Sequence, residues 1–160
     1  MKEKIIQLLA QNARIDTKEI AARLNMTDEA VCSCIAELEK NDVIKGYKAI
    51  INENIYHSDI VRALIEVRVT PQRDGGFDTV ARRIAKFPEV IDLYLVSGGY
   101  DLLLEVKGRS LQEVAMFVSG KLSTIEGVLS TSTAFTLKKY KESGRIMDDD
   151  EEYTRLQVCP

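Results

Sequence analysis

Two of the three cysteines, Cys32 and Cys34, stand one residue apart in AVCSCIAEL, residues 30–38. Paired thiols could hold a metal or form a redox couple. On a helix, at ~100° per residue, they lie about 200° apart. They cannot reach one ion, and no His or third Cys stands nearby. Both flank an apolar helix face, where a free Cys behaves as a small hydrophobe, so packing is their expected role. Cys159 lies near the C-terminus, and the single histidine, His57, sits in YHSD, where a surface role is expected. No Ser/His/Asp set, Cys/His pair, metal cluster or phosphate loop is found, so no catalytic residue, metal site or cofactor is expected.

The turn Ser97-Gly98-Gly99-Tyr100-Asp101 has other chemistry. Glycines expose backbone N–H groups that can hold a carboxylate. Asp101 could take an ammonium through a charge-assisted bond, and Tyr100 offers a ring wall and a hydroxyl. Thr131 and Thr133, on one face of a later strand, supply hydroxyls. The competing reading is a tight hairpin at Gly98-Gly99 that Asp101 merely hydrogen-bonds. Arg73, in PQRDGGF, is a weaker candidate for an anionic group.

The elements that position these groups follow from periodicity. Residues 1–46 read as three short helices. Ile5, Ile6, Leu8 and Leu9 form the first apolar stripe. Asp16 and Glu19 suit a capping box for the second, with Ile20, Ala21 and Leu24 inward. Thr27 can cap the third, whose Val31, Ile35 and Leu38 face the core and which Asn41-Asp42 ends. VIKGYKAIINENI then alternates like a short hairpin or strand. This is the winged helix-turn-helix plan, with the second and third helices as a DNA-docking pair. A small helical bundle that binds protein has the same pattern.

The third helix presents Glu29, Ser33, Ala36, Glu37 and Lys40 outward, with Asp28 and Glu29 in the first turn, where acids also stabilise the helix dipole. Carboxylates there repel phosphate and can accept from cytosine N4. Residues 1–50 hold eight Lys/Arg and eight Asp/Glu, so one module should bind DNA weakly and several would gain by avidity. Phosphate contacts are expected from Arg14, Lys18, Lys40, Lys45 and Lys48. Thr17 and Thr27, at the starts of the second and third helices, join Asp28, Glu29, Ser33 and Glu37 as expected DNA contacts.

After YHSD come IVRALIEVRV, with Val61, Ala63, Ile65, Val67 and Val69 on one face, the amphipathic FDTVARRIAKF, and two strands around Gly98-Gly99. A helix with a Ser110/Glu113 capping box follows, and VLSTSTAFTLKKY reads as a final strand. The order β-α-β-β-α-β is the ferredoxin-like plan, and the class is α+β. The sheet face without helices needs cover, so a homodimer is expected. The expected boundaries are a winged helix-turn-helix over 1–50, a linker over 51–59, a ferredoxin-like domain over 60–141 and an acidic tail over 142–160.

The net charge is −3, yet residues 148–160 alone carry five acids and one Arg, leaving 1–147 at +1. No large basic field advertises nucleic acid. The tail reads as solvated; it could instead screen the DNA-binding surface or pack YTRLQV on a neighbouring subunit. No apolar run approaches the roughly 20 residues that cross a bilayer. MKEKIIQLLAQN lacks a signal peptide's long apolar core, and the odd cysteine count fits a reducing cytoplasm.

Over residues 1–140 the chain resembles the Lrp/AsnC family of transcription regulators. The resemblance rests on RIDTKEIAARLNMT with LEKNDVIKGYKAIIN, on VSGGYDLLLEV with its Gly-x-Tyr-Asp turn, and on GVLSTSTAFTLKKYK. It implies a sequence-specific regulator of double-stranded DNA whose second domain senses a free amino acid and drives assembly from homodimer to octamer or higher. It also implies that the effector binds around Ser97–Asp101, between dimers. Two features depart from the family pattern: Cys34 stands where Arg is typical, and the third helix is acidic. The other readings are an amino-acid-binding oligomer with little DNA affinity, and an enzyme like the siroheme decarboxylases. The second needs a His/Arg-rich porphyrin site, and this chain has one His and no Arg-x-x-Ala-x-x-x-His after the wing.

Overall fold

The computed structural model describes residues 1–53, 55–56, 59–71 and 76–147. His57, Arg73, Cys159 and the acidic run from Asp148 lie outside the described residues. The chain divides into two compact units after Ile51.

The first unit is three helices, α1 (Lys2–Gln11), α2 (Thr17–Leu24) and α3 (Asp28–Lys40). Ile5, Ile20, Ala21, Val31 and Leu38 form its buried core, flanked by Leu24, Ile35 and Ile44. Asp42, in the left-handed region at φ 58°, turns the chain after α3, and the Val43 and Ile44 amides both donate to the Leu38 carbonyl. Among the described residues of VIKGYKAIINENI the expected strand or hairpin does not form. Strand hydrogen bonds need a neighbour, and none of the described strands pairs with this segment. Its alternating apolar residues stay in water, with Tyr47 50% and Ile51 48% exposed.

The second unit is a four-stranded antiparallel sheet, β1 (Val61–Val69), β2 (Val90–Leu95), β3 (Leu102–Gly108) and β4 (Val128–Phe135), in the order β2-β3-β1-β4. Helices α4 (Asp78–Ile84) and α5 (Leu111–Phe117), the latter extended by a wider π-type turn over Val118–Leu122, complete the ferredoxin-like plan. The period-2 pattern of β1 places Ala63, Ile65, Val67 and Val69 against Leu102, Leu104 and Val106 of β3 and the helix residues Val80, Ile84, Val114 and Phe117. Phe87 and Phe117 meet edge to face at 5.5 Å. The opposite face leaves Leu64 43% and Tyr94 53% exposed.

Strand β4 is shorter than VLSTSTAFTLKKY suggested. Its partner β1 runs out at Val61, and the last cross-strand bond is from the Thr136 amide to the Arg62 carbonyl. The chain then makes a small hairpin, β5 (Lys141–Glu142) and β6 (Arg145–Ile146), turned by Ser143 and Gly144 at φ 46° and 82°. Met147 behind it is buried. The expected tail over 142–160 takes in 142–147 because Ser-Gly alone is a weak turn signal beside the acidic run.

Ser110 caps α5 by accepting from the Glu113 amide at 3.1 Å, while the Glu113 carboxylate accepts from the Arg109 amide at 2.5 Å. Ser110→Ala is expected to lower stability by about 1 kcal/mol, read as a shifted urea midpoint at unchanged slope. An unmoved midpoint would show that the cap contributes nothing.

Candidate nucleic-acid interface and effector turn

The helix pair is set by its caps. Asp16 accepts from the Lys18 amide at 2.8 Å and starts α2. Glu19 does not complete the expected capping box; it pairs with Arg23 one turn on, at 2.5 Å. Asn25 ends α2 in the left-handed region, φ 52° and ψ 51°, a conformation Asn tolerates. Thr27 accepts from the Ala30 amide at 3.3 Å and starts α3. Three residues therefore join the helices, as a helix-turn-helix requires.

On α3, Glu29, Ser33, Ala36 and Lys40 are all exposed and fall on one line opposite Val31 and Leu38. Glu37 lies to the side of that line. Lys2 of α1 donates to its carboxylate at 2.6 Å, and this hydrogen bond raises the Lys2 pKa. Asp28 is half-buried, and the Cys32 thiol lies 3.9 Å from its carboxylate. Only Cys34 packs against the helical core; Cys32 is exposed, which corrects the expectation of two packing cysteines. The reason is angular: about 200° cannot place both residues on one buried stripe.

The cationic candidates spread around this helix pair. Arg14, Lys18 and Lys40 are exposed, Thr17 is half-buried and Thr27 exposed. Lys45 pairs with Asp42 at 2.9 Å, and Lys48 is exposed. Lys2, which neutralises Glu37, was missed in the sequence because the pair spans 35 positions.

In the second unit, β2 and β3 are joined by a six-residue loop, not a two-residue hairpin at Gly98-Gly99. The Val96 amide donates to the Asp101 carbonyl at 2.9 Å. Neither glycine has the positive φ of a primed turn, and a Cβ on either would meet nothing within 4 Å. Nothing among the described residues therefore requires glycine there.

Asp101 is anchored. Its amide donates to the Val67 carbonyl at 3.0 Å, and its Oδ2 accepts from the Val69 amide at 2.9 Å. That amide is freed where the β1–β4 register shifts between Arg68 and Val69. Arg68 donates through Nε to the Gly99 carbonyl at 2.9 Å. The period-2 pattern of β1 puts Arg68 on the non-core face, and its reach to the turn depends on a contact 31 positions away.

Thr131 pairs with Val67 and Thr133 with Ile65, so both hydroxyls lie on the helix side of edge strand β4. Thr131 shares the sheet end of the 97–101 loop, but across β1, two strand spacings or roughly 10 Å from β3. Thr133 sits roughly 7 Å further along the strand. Ser97, Gly98 and Gly99 are exposed, and Tyr100 and Asp101 half-buried. The protomer thus brings Ser97–Asp101 and Thr131 to one end and leaves Thr133 apart. Among the described residues no group of three or more His, Cys, Asp or Glu could hold a metal, and no helix is long and apolar enough to cross a membrane.

Residues 1–45 match the family model for a winged helix-turn-helix DNA-binding domain, and residues 62–146 that for the Lrp/AsnC ligand-binding domain. The chain is 42% identical over 158 residues to the HTH-type transcriptional regulator YugG of Bacillus subtilis, covering 98% of this chain and 95% of that one. It is 29% identical to the leucine-responsive regulatory protein of Rhizobium meliloti, covering 89% and 91%. Among solved structures, its fold is similar to that of the Neisseria meningitidis transcriptional regulator NMB0573 in complex with L-Met: TM-score 0.66, 24% identity, 88% and 90% covered.

Proposed function

The chain belongs to the Lrp/AsnC family of DNA-binding transcription regulators, and from that premise we propose how its two units divide the work. The family is one of regulators rather than enzymes, which sets aside the decarboxylase reading. The α2–α3 pair docks on double-stranded DNA. Thr17, Thr27, Asp28, Glu29 and Ser33 lie at or near base edges, Glu37, paired with Lys2, stands beside them, and Arg14, Lys18, Lys40, Lys45 and Lys48 meet phosphates.

The effector is a free amino acid held at Ser97–Asp101, with the Thr131 hydroxyl at the same end of the sheet; Thr133, which the protomer sets apart, joins the site where another copy presents it. The observation that carries this is Asp101, whose Oδ2 is fixed by the Val69 amide while Oδ1 has no hydrogen-bond partner among the described residues and can accept an ammonium. Beside it, Gly98 and Gly99 have no steric reason to be glycine unless something approaches closely. The L-Met bound to the Neisseria regulator supports an amino acid as the ligand class. Two copies meet through the uncovered sheet face around Leu64 and Tyr94 and assemble further, to an octamer or higher, in the cytoplasm. Effector binding at the contacts between copies shifts that assembly and so the spacing of the DNA-binding units.

A second reading, a sensor with little DNA affinity, draws support from the balanced eight cations and eight acids of residues 1–50. Titrating promoter DNA of its own and neighbouring genes across salt, with and without mixed amino acids, separates the two. A regulator binds with nanomolar affinity that falls with salt and changes with one amino acid. Lys18→Ala is expected to weaken binding evenly across sequences and to reduce the salt slope by about 1. Absence of binding at low salt, from a folded oligomer, leaves only the sensor.

A further inference from the structure

The four acids of α3 face different fates in the fold; Glu39 accepts from the Tyr47 hydroxyl at 2.9 Å. Glu37 lies off the outward line and is neutralised by Lys2 at 2.6 Å. Asp28 is half-buried and turned toward Cys32. Glu29 is exposed, lies on the line with Ser33, Ala36 and Lys40, and engages no partner among the described residues. In a helix-turn-helix the N-terminal residues of the second helix reach the base edges. Glu29 is the second residue of α3.

We propose that Glu29 is a specificity-determining residue that reads cytosine in the major groove, an inference that rests on the DNA-binding reading above. A carboxylate is only an acceptor. Cytosine presents the N4 amino donor in the groove. Guanine presents two acceptors, thymine an acceptor and a methyl, and adenine sets its N7 acceptor beside its donor. Three of the four bases therefore oppose Glu29 with an acceptor. The energetic content is selection against the wrong base, because a carboxylate brought near phosphates adds no general affinity. Ala36 on the same line offers a methyl to thymine, and Lys40, last on the line, reaches phosphate. A helix face this poor in cations selects by exclusion more than by attraction.

The test is sequence selection from a random duplex pool by the full chain and by Glu29→Gln. Glutamine keeps the shape, removes the charge and pairs with adenine N6 and N7. The wild type is expected to enrich a cytosine column that switches to adenine in the variant, with a roughly tenfold change in preference there and no change in neighbouring columns. Glu29 is exposed, and an unchanged circular dichroism spectrum checks that the variant is folded. A cytosine column that persists in Glu29→Gln, or a wild-type consensus with no such column, overturns this inference alone. A wild type that enriches no sequence at all overturns the DNA-binding reading with it.

Discussion

Arg62→Ala is expected to lower the unfolding free energy of the sheet unit by about 2–4 kcal/mol at neutral pH. The guanidinium donates to both oxygens of Glu53, through Nη2 and, at 3.1 Å, through Nε, and to Glu105 at 3.3 Å through Nη1. The three side chains retain only 18%, 28% and 23% of their exposure, so deleting the cation strands two half-desolvated carboxylates. The figure is set below the cost of breaking a fully buried pair because water still reaches each group.

The effect carries a pH signature. The Arg62 hydrogen bond lowers the Glu53 pKa, and Lys139 adds to it at longer range while burial and Glu142 oppose. A carboxyl whose folded pKa is depressed contributes stability above its unfolded value, near 4.3, and that stability is lost as pH falls through the folded value. The gap between wild type and Arg62→Ala should therefore be full at neutral pH and shrink below about pH 4. Urea unfolding at fixed protein concentration, at both pH values, measures it; the concentration must match because assembly shifts apparent stability. An equal gap at both pH values would show that the loss is packing of the arginine stem, not charge pairing.

Asp101 gives the second large effect, and two substitutions separate its roles. Asp101→Ala leaves the Val69 amide without its acceptor, at a cost of about 1–3 kcal/mol, so fold and ligand binding fall together. Asp101→Asn keeps an acceptor oxygen for that amide and removes the negative charge. It should fold like the wild type and bind the effector tenfold or more weakly, the equivalent of one lost hydrogen bond to a charged group. Calorimetric titration with the amino acid that changes DNA binding reads this directly. Unchanged affinity in Asp101→Asn would reduce the turn to a loop brace.

The elements were legible where one residue's neighbours along the chain decide its place. The helix starts at Asp16, Thr27 and Ser110 are local events, each a side-chain oxygen meeting an amide two or three positions on. The inward faces of β1 and α3 follow from periods of 2 and 3.6. The order of elements then left few topologies, and the βαββαβ sheet with both crossovers on one face is the one observed.

What failed in the sequence reading needed a partner far away. The 43–53 segment alternates as a strand should, yet alternation says only which side chains share a face, not that a neighbouring strand exists. Gly98-Gly99 suggested a two-residue turn, but the loop length was set by where Leu95 pairs with Leu102. Cys32 and Cys34 both bordered an apolar stripe, and only packing with α1 and α2 decided which one is covered.

The sequence by itself therefore determined the main helices and sheet strands and the identity of the chemical groups, because backbone propensity, capping and periodicity act within a few residues. Tertiary structure alone decided which of those groups are free to act. Lys2 pairs with Glu37, the Val69 amide claims one oxygen of Asp101, and Arg68 closes on Gly99. Each is a contact 31 to 35 positions apart in the chain. Such contacts depend on the packing of whole elements and on strand register, which no local pattern encodes.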